Sequence, residues 1–251
     1  MENIMTGTKI VKSFGNEPKV TILDQVDIEI KRGEFVTIMG PSGCGKTTLL
    51  FALSGTDSID QGSIECEGIR LTDMKEHQLA DLRREKFGFV FQQPTMLKNL
   101  NLLDNILLPV LQNSKKNKAE NLTRAKTLMK RTGIGELENR ETTKVSGGQL
   151  QRAGICRALM NQPAVLFADE PTGALNSKAA DGIMTLLKAI HQEGTAILLV
   201  THDAKVAAKA ERVLFMKDGK IITELHFDSL ALNSEAQRVE AVLAEMKIND
   251  I

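Results

Sequence analysis

The sequence contains no tryptophan and no tyrosine, and its 251 residues include only nine phenylalanines. Any aromatic stacking on a ligand or partner must therefore come from Phe. An excess of positive charge is also missing, because Lys plus Arg equals Asp plus Glu at 32 each. The formal net charge of zero gives no indication of a nucleic-acid partner, and we expect none.

Cysteine is scarce as well, and the spacing of the cysteines does not fit a metal site. The three cysteines, Cys44, Cys66 and Cys156, lie far apart, which argues against a disulfide framework or a zinc site and favours a reducing cytoplasm. The first residues lack the basic-then-apolar pattern of a secretion signal. No apolar run approaches the ~18 residues of a membrane helix, so a role at a membrane would depend on a partner.

One glycine-rich stretch fits a known pattern without a mismatch. The residues Gly40-Pro41-Ser42-Gly43-Cys44-Gly45-Lys46-Thr47 match G-x-x-x-x-G-K-[ST], between an apolar run at 35–39 and a helix that opens at Thr48. Backbone N–H groups of such a loop converge on phosphate oxygens, Lys46 adds a positive charge, and the Thr47 hydroxyl can ligate Mg²⁺. The pattern predicts an ATP site. The alternative is a glycine-rich turn with a chance lysine.

The rest of the chain alternates strands and helices in the manner of an α/β protein. Antiparallel strands are predicted within 4–38, with an edge strand at 63–67, and buried strands at 87–91, 164–168 and 196–200. Further predictions are a helix over 75–86, an apolar helical stripe from Leu102 to Leu111, a polar linker at 114–118, helices over 119–131, 150–160, 177–190 and 205–210, and a hairpin turning at Asp218-Gly219. Residues 95–160 are interpreted as a helical insertion. An amphipathic helix at 233–247 packs on its own domain or binds a partner.

Polar residues follow three of the predicted buried strands. In a parallel sheet the carboxyl ends of the strands share one edge, so these residues can converge on one ligand. Asp169 would anchor Mg²⁺ together with Thr47, and Glu170 would act as general base, unless this acidic pair only caps the next helix. His202 would contact the γ-phosphate or be a core imidazole, and Gln92 would contact Mg²⁺ and water or be an ordinary strand-end amide.

Two other features concern the rest of the nucleotide site, and the second suggests that another chain completes it. Phe14 is either a hydrophobic residue beside a turn or a platform for stacking adenine. The turn Ser146-Gly147-Gly148-Gln149 opens a helix and forms a second anion-binding nest. One phosphate loop and one such nest in a chain predict a homodimer of two copies, head to tail, with two ATP molecules between them.

Five motifs in this order resemble the nucleotide-binding subunit of an ABC transporter over about residues 4–225. They are GPSGCGKT (40–47), FVFQQ (89–93), VSGGQLQR (145–152), AVLFADE (164–170) and VTHD (200–203), and EPTGALNSK (170–178) is similar to the MacB, LolD and bacitracin-exporter branch. The resemblance implies an α/β fold with a P-loop NTPase (RecA-like) core, an antiparallel β subdomain and an α-helical subdomain. The expected organisation is a single domain over 1–233 and a tail over 234–251.

The same resemblance implies an ATPase that works with an integral membrane permease at the cytoplasmic face of the cell membrane. The membrane subunits of this branch export antimicrobial peptides or antibiotics, or drive lipoprotein and envelope processes. The resemblance implies that a cytoplasmic helix of the membrane partner docks in a cleft near Gln92 and so couples the two subunits. The sequence departs from the family at Phe14, usually Tyr, at Val145, usually Leu, and at Asn176, usually Asp. Two alternatives stay open: an ATPase module of an envelope-stress sensing complex, and a non-transport ABC ATPase in DNA repair or translation.

Overall fold

The computed structural model describes residues 2–111, 118–227 and 234–251. The predicted linker at 114–118 lies almost entirely outside these ranges, as does the predicted domain boundary at 233. The chain forms two compact units: the first comprises Met1–Asp81 with His191–Ile251, and the second is Leu82–Ile190. The predicted single domain with a tail, and the helical insertion over 95–160, stay predictions.

The described ranges contain ten strands and eight α-helices. The strands are β1 (Asn3–Phe14), β2 (Val20–Lys31), β3 (Phe35–Met39), β4 (Gln61–Cys66), β5 (Ile69–Arg70), β6 (Phe87–Phe91), β7 (Val165–Asp169), β8 (Ala196–Thr201), β9 (Arg212–Lys217) and β10 (Lys220–His226). The helices are α1 (Lys46–Leu53), α2 (Glu76–Lys86), α3 (Leu102–Leu107), α4 (Lys118–Arg131), α5 (Gly147–Ala158), α6 (Ser177–Gln192), α7 (Ala204–Ala207) and α8 (Glu235–Ile248).

An antiparallel sheet in the first unit has the strand order β2-β1-β4-β5. The alternating apolar runs at 20–23 and 26–30, both within the predicted β region 4–38, form the single strand β2. A bulge at Gln25, whose φ is 51°, shifts the register against β1 without ending the pairing. A strand forms where one was predicted at 63–67, but its predicted position at the sheet edge is wrong. Residues 63–66 belong to β4, which lies between β1 and β5, because a tight turn at Glu67-Gly68 adds β5 outside it.

Parallel pairing in the first unit joins the strand before the glycine-rich loop to two later strands. β3 lies between β8 and β9, and β10 returns antiparallel to β9 through a turn in which Asp218 and Gly219 both have positive φ. Every residue of β3 and of β8 is buried. This explains why both strands are continuous apolar runs, as in sheets covered on both faces.

The C-terminal helix α8 packs on the first unit. Ser234 caps it, with Gln237 completing a capping box. Val242 is fully buried in a cluster with Phe215 and Phe227, and Val239 packs against the same cluster. This packing favours the prediction that α8 packs on its own domain over the alternative that it binds a partner.

The second unit contains the parallel pair β6 and β7 with helices around it. Phe89 stacks on Phe167 with ring centroids 5.5 Å apart, which ties the two strands together. The predicted apolar stripe is buried at Leu102, Ile106 and Val110, but Leu111 is 68% exposed. The α-helix has already changed to a 3₁₀ turn at Leu108–Val110, where Pro109 lacks the N–H that a helix needs, so Leu111 leaves the buried face.

Candidate functional site

The glycine-rich loop connects β3 to α1 in the first unit, as predicted. Gly45 is the N-cap of α1 with φ 105° and ψ 5°, a left-handed conformation that only glycine adopts without strain. A Cβ on Gly45 would lie 2.8 Å from the carbonyl oxygen of Ile22, and one on Gly40 would collide with the carbonyl oxygen of Met216. The loop therefore requires glycine both for its conformation and for its close approach to neighbouring strands.

Lys46 holds its ammonium group over this loop. Its side chain is buried, and Nζ donates hydrogen bonds to the carbonyl oxygens of Gly40 and Pro41, both at 2.9 Å. Among the described residues no side chain caps the start of α1. The first N–H groups of the helix and a positive charge thus face the same loop, which is the arrangement that binds phosphate.

A cleft of about 280 Å³ lies beside the loop within the first unit. It is lined by Phe14, Ile22, Gly43, Gly45, Lys46, Thr47 and Thr48. The structure thereby brings Phe14, at the end of β1, to the residues of the phosphate loop. An aromatic ring next to a cationic, glycine-lined cleft suits a nucleotide better than inorganic phosphate.

Cys44, in the middle of the loop, is buried. Burial raises the pKa of its thiol above the ordinary value, although Lys46 acts in the opposite direction. The neutral thiol is a poor nucleophile. Cys44 therefore fills space in the loop.

His202 follows β8, and the register of the parallel strands fixes where that end lies. Met39 pairs with Thr201, so Gly40 and His202, one residue later on each strand, leave the same edge of the sheet. Asp203 is the N-cap of α7 and accepts from the backbone N–H of Lys205 at 2.7 Å. Within this motif the structure assigns Asp203 to capping and places His202 at the edge that carries the phosphate loop.

The ends of β6 and β7 form a corresponding pair in the second unit. Phe91 pairs with Asp169, so Gln92 and Glu170 follow neighbouring strand ends. Glu170 has a φ of 46°, an uncommon conformation for a residue other than glycine. A Cβ on Gly173 would lie 2.8 Å from Nε2 of Gln92, so this side chain rests on the loop that follows Glu170. Asp169, Glu170 and Gln92 are thus gathered at one edge.

The serine-glycine turn begins α5 and is capped by its own residues. The Ser146 hydroxyl accepts a hydrogen bond from the N–H of Gln149 at 3.3 Å, and the Gln149 side chain accepts from the N–H of Ser146 at 2.8 Å. A serine oxygen that accepts here keeps its proton for donation to an anion. Gly147 and Gly148 form the first turn of the helix without side chains in the way.

Sequence reasoning missed two residues near these sites. Gln151 is buried, and its Nε2 donates to the carbonyl oxygen of Phe91 at 2.9 Å, which links α5 to the strand that delivers Gln92. Lys12 is buried beside Phe14. Nothing local in the sequence marks either one, because Gln and Lys are usually exposed. Asn176, where the family usually has Asp, caps α6 by accepting from the N–H of Ala179 at 2.9 Å.

Among the described residues, no group of three or more His, Cys, Asp or Glu side chains could hold a metal ion. This does not conflict with the predicted oxygen donors for Mg²⁺, a hydroxyl, an amide and a single carboxylate, because Mg²⁺ usually keeps waters and substrate phosphates as ligands. In the part of the chain covered by the structure, no helix has the length and apolar character to cross a membrane.

Comparison with known proteins identifies the family. A family model described as ABC transporter matches residues 10–173. The bacitracin export ATP-binding protein BceA of Halalkalibacterium halodurans is 43% identical over 225 residues, which is 89% of this chain and 88% of BceA. The macrolide export ATP-binding/permease protein MacB of Aggregatibacter actinomycetemcomitans is 40% identical over 88% of this chain, but the match covers only 34% of MacB.

A solved structure gives the same result. The ATP-binding cassette MJ0796, in a dimeric post-hydrolysis state bound to ADP and Pi, has a TM-score of 0.82 and 36% identity, and the match covers 88% of this chain and 98% of that one. The predicted α/β P-loop NTPase fold with its two subdomains is confirmed, and so is the resemblance. The chain belongs to the ABC transporter family, of which it is an ATP-binding cassette that binds and hydrolyses ATP.

Proposed function

We propose that two copies of this chain close head to tail around two ATP molecules and thereby drive a separate membrane permease. The observation that carries the proposal is the presence of two anion-binding turns in different units of the chain, the phosphate loop at Lys46 and the nest at Ser146. A nest with a hydroxyl proton to donate needs an anion, and a second copy supplies one. The dimeric state named for MJ0796 supports this arrangement.

The proposed roles follow the chemistry of each side chain. The phosphate loop with Lys46 binds the phosphates, Phe14 stacks on adenine, and the turn from Ser146 to Gln149 contacts the γ-phosphate of the ATP held by the other copy. Glu170 takes a proton from the attacking water, and His202 donates a hydrogen bond to the γ-phosphate. The uncommon backbone conformation of Glu170 supports its role, since such conformations concentrate at functional sites.

Magnesium is part of the proposal. Thr47, Gln92 and Asp169 offer hydroxyl, amide and carboxylate oxygens, the hard donors that Mg²⁺ prefers. When bound, the ion would neutralise charge on the phosphate groups. The contribution of the chain is to orient these oxygens, for which the contact between Gln92 and Gly173 and the register of Phe91 with Asp169 provide support.

The membrane partner is inferred from the relatives. The MacB relative is named an ATP-binding/permease protein, and this chain spans about a third of its length, whereas the match with BceA covers 88% of a protein named only as ATP-binding. We infer that an integral membrane permease is a separate chain and holds this ATPase at the cytoplasmic face of the membrane. The cargo we propose is an antimicrobial peptide or antibiotic, with lipoprotein or envelope release as the other process of this branch.

The experiment is a Glu170→Gln substitution, which keeps the size of the side chain and removes the base. We expect ATP turnover to fall by at least about a hundredfold while ATP is retained and the dimer accumulates. Steady-state ATPase assays and analytical ultracentrifugation with ATP and Mg²⁺ measure these results. Glu240→Gln, the same change on the exposed side of α8, is the control and should leave both unchanged. Undiminished hydrolysis would remove Glu170 from its role, and a strictly monomeric Glu170→Gln protein with ATP would contradict the dimer.

A further inference from the structure

A buried lysine lies beside the mouth of the nucleotide cleft. Lys12 is only 7% exposed, and its Nζ donates hydrogen bonds to Oδ1 of Asp57 at 2.9 Å and to the carbonyl oxygen of Ser58 at 2.6 Å. The same ammonium lies over the ring of Phe14, 4.9 Å from its centroid. A cation over an aromatic face is attracted by the π electrons. Lys12 thus joins the loop after α1 to the aromatic ring in the cleft.

The strand geometry explains why this contact is stable. Residues 12 and 14 are two apart on β1, and alternate residues of a strand point to the same face. The loop after α1 also holds this end of β1, since the N–H of Ser13 donates to Asp60 Oδ2 at 2.7 Å and the N–H of Asp60 donates to the carbonyl oxygen of Val11 at 2.7 Å. The loop after α1 therefore fixes the backbone that carries both side chains.

Phe14 itself has few restraints of this kind. It is the last residue of β1, and its side chain is 46% exposed, so packing alone leaves the ring free to choose among rotamers. An aromatic ring has two faces, and the Lys12 ammonium covers one of them. A base can then stack only on the other face, and Phe14 lines the same cleft as Lys46 and Thr47.

We propose that Lys12 is a positioning residue for nucleotide binding: held by Asp57 and Ser58, it fixes the Phe14 ring so that one face is presented to the adenine of ATP. The proposal rests on the stacking role of Phe14 proposed above. Its consequence is that the affinity for the base, and not for the phosphates, depends on a lysine that touches neither. If Lys12 only held β1 to the loop after α1, its loss would weaken binding of the base and of the phosphates equally.

The test compares ATP with inorganic triphosphate, which occupies the phosphate loop but has no base to stack. In Lys12→Met, which keeps an unbranched side chain without charge, we expect ATP to bind about fivefold more weakly, as loss of one cation–π contact implies. Triphosphate should bind as in the wild type. Isothermal titration calorimetry of the full-length chain measures both affinities, and circular dichroism shows whether the variants are folded.

Two further variants make the result specific. Lys12→Met with Asp57→Asn removes both charges of the pair, and it should show the same loss for ATP, which excludes an effect of an unpaired carboxylate. In a Phe14→Ala background, Lys12→Met should cause no further loss, because the two residues act on one contact.

Each failure has its own meaning. An equal loss of ATP and triphosphate affinity in the Lys12→Met protein, an unchanged ATP affinity, or full additivity with Phe14→Ala would overturn the role of Lys12. If Phe14→Ala itself weakens ATP no more than triphosphate, the stacking role in the proposed function is wrong, and the inference about Lys12 falls with it.

Discussion

Cys156 shows how burial of a single side chain creates a pH dependence. The thiol lies in α5 with no exposed surface, and its Sγ is 3.1 Å from Oγ1 of Thr132. Burial raises the pKa of Cys156 from 9.0 to about 11. The folded chain therefore keeps this thiol protonated at pH values where the unfolded chain has lost the proton. Stability from this group is complete below about pH 9 and is lost as the pH rises towards 11.

We therefore predict that Cys156→Ala flattens the alkaline dependence of stability. Relative to its value at pH 8, the free energy of unfolding of the wild type should fall by about 2 kcal/mol more at pH 10.5 than that of the variant. Urea titrations at the two pH values measure the difference, and any cost of the smaller side chain cancels because it does not depend on pH. The sequence contains no tyrosine to titrate in this range. Parallel pH dependences would contradict the buried, neutral thiol.

At the scale of residues, the sequence was informative where function depends on local spacing. The loop from Gly40 to Thr47 could be predicted because eight consecutive residues define both its conformation and its chemistry. The hydrogen bonds of Lys12 to Asp57 and Ser58 could not, because they join residues more than 40 positions apart and no pattern marks a lysine as buried. The side chain of Gln151 escaped notice for the same reason.

Among the elements, α8 shows most clearly how helical periodicity determines which side chains are buried. Its apolar spacing predicted an amphipathic helix, and the structure places Val242 in a cluster with Ala207, Phe215 and Phe227. Leu243, the next residue along the helix, is 50% exposed. Helical periodicity thus gives one buried and one exposed apolar side chain at adjacent positions.

This pair gives a matched test. Val242→Ala should reduce the free energy of unfolding by about 2 kcal/mol, because two buried methyl groups are lost and a cavity is left. Leu243→Ala should change it by less than about 0.5 kcal/mol, although more atoms are removed. Chemical denaturation followed by circular dichroism gives both values. Similar effects from the two variants would show that α8 does not pack in solution as described.

Other elements show where the sequence was insufficient. The strand predicted at the edge became β4, inside its sheet, because the position of a strand depends on the short β5 that Gly68 makes possible, and a two-residue strand has no periodicity to detect. Leu111 fitted the helical stripe, but the helix had ended before it. Periodicity predicts which residues share a face only as long as the element continues.

For the whole molecule, the order of five motifs was sufficient to predict the family and the cassette fold, both now confirmed. The pairing of two copies could be argued only as a hypothesis, since it depends on surfaces of two chains. In the proposed dimer, each ATP is contacted by the Lys46 loop and Glu170 of one copy and by Ser146 of the other. Glu170 and Ser146 of the same copy therefore belong to different ATP sites of the dimer, and a substitution at each impairs a different site.

A mixing experiment tests this arrangement directly. Glu170→Gln and Ser146→Ala proteins, each with low ATPase activity alone, are mixed in equal amounts with ATP and Mg²⁺. Half of the dimers should contain one of each variant, and head-to-tail pairing gives every mixed dimer one intact site and one doubly defective site. We expect the mixture to recover about a quarter of wild-type activity. If each site instead used Glu170 and Ser146 of the same chain, every site would keep one defect, and the mixture would show only the mean of the two variants.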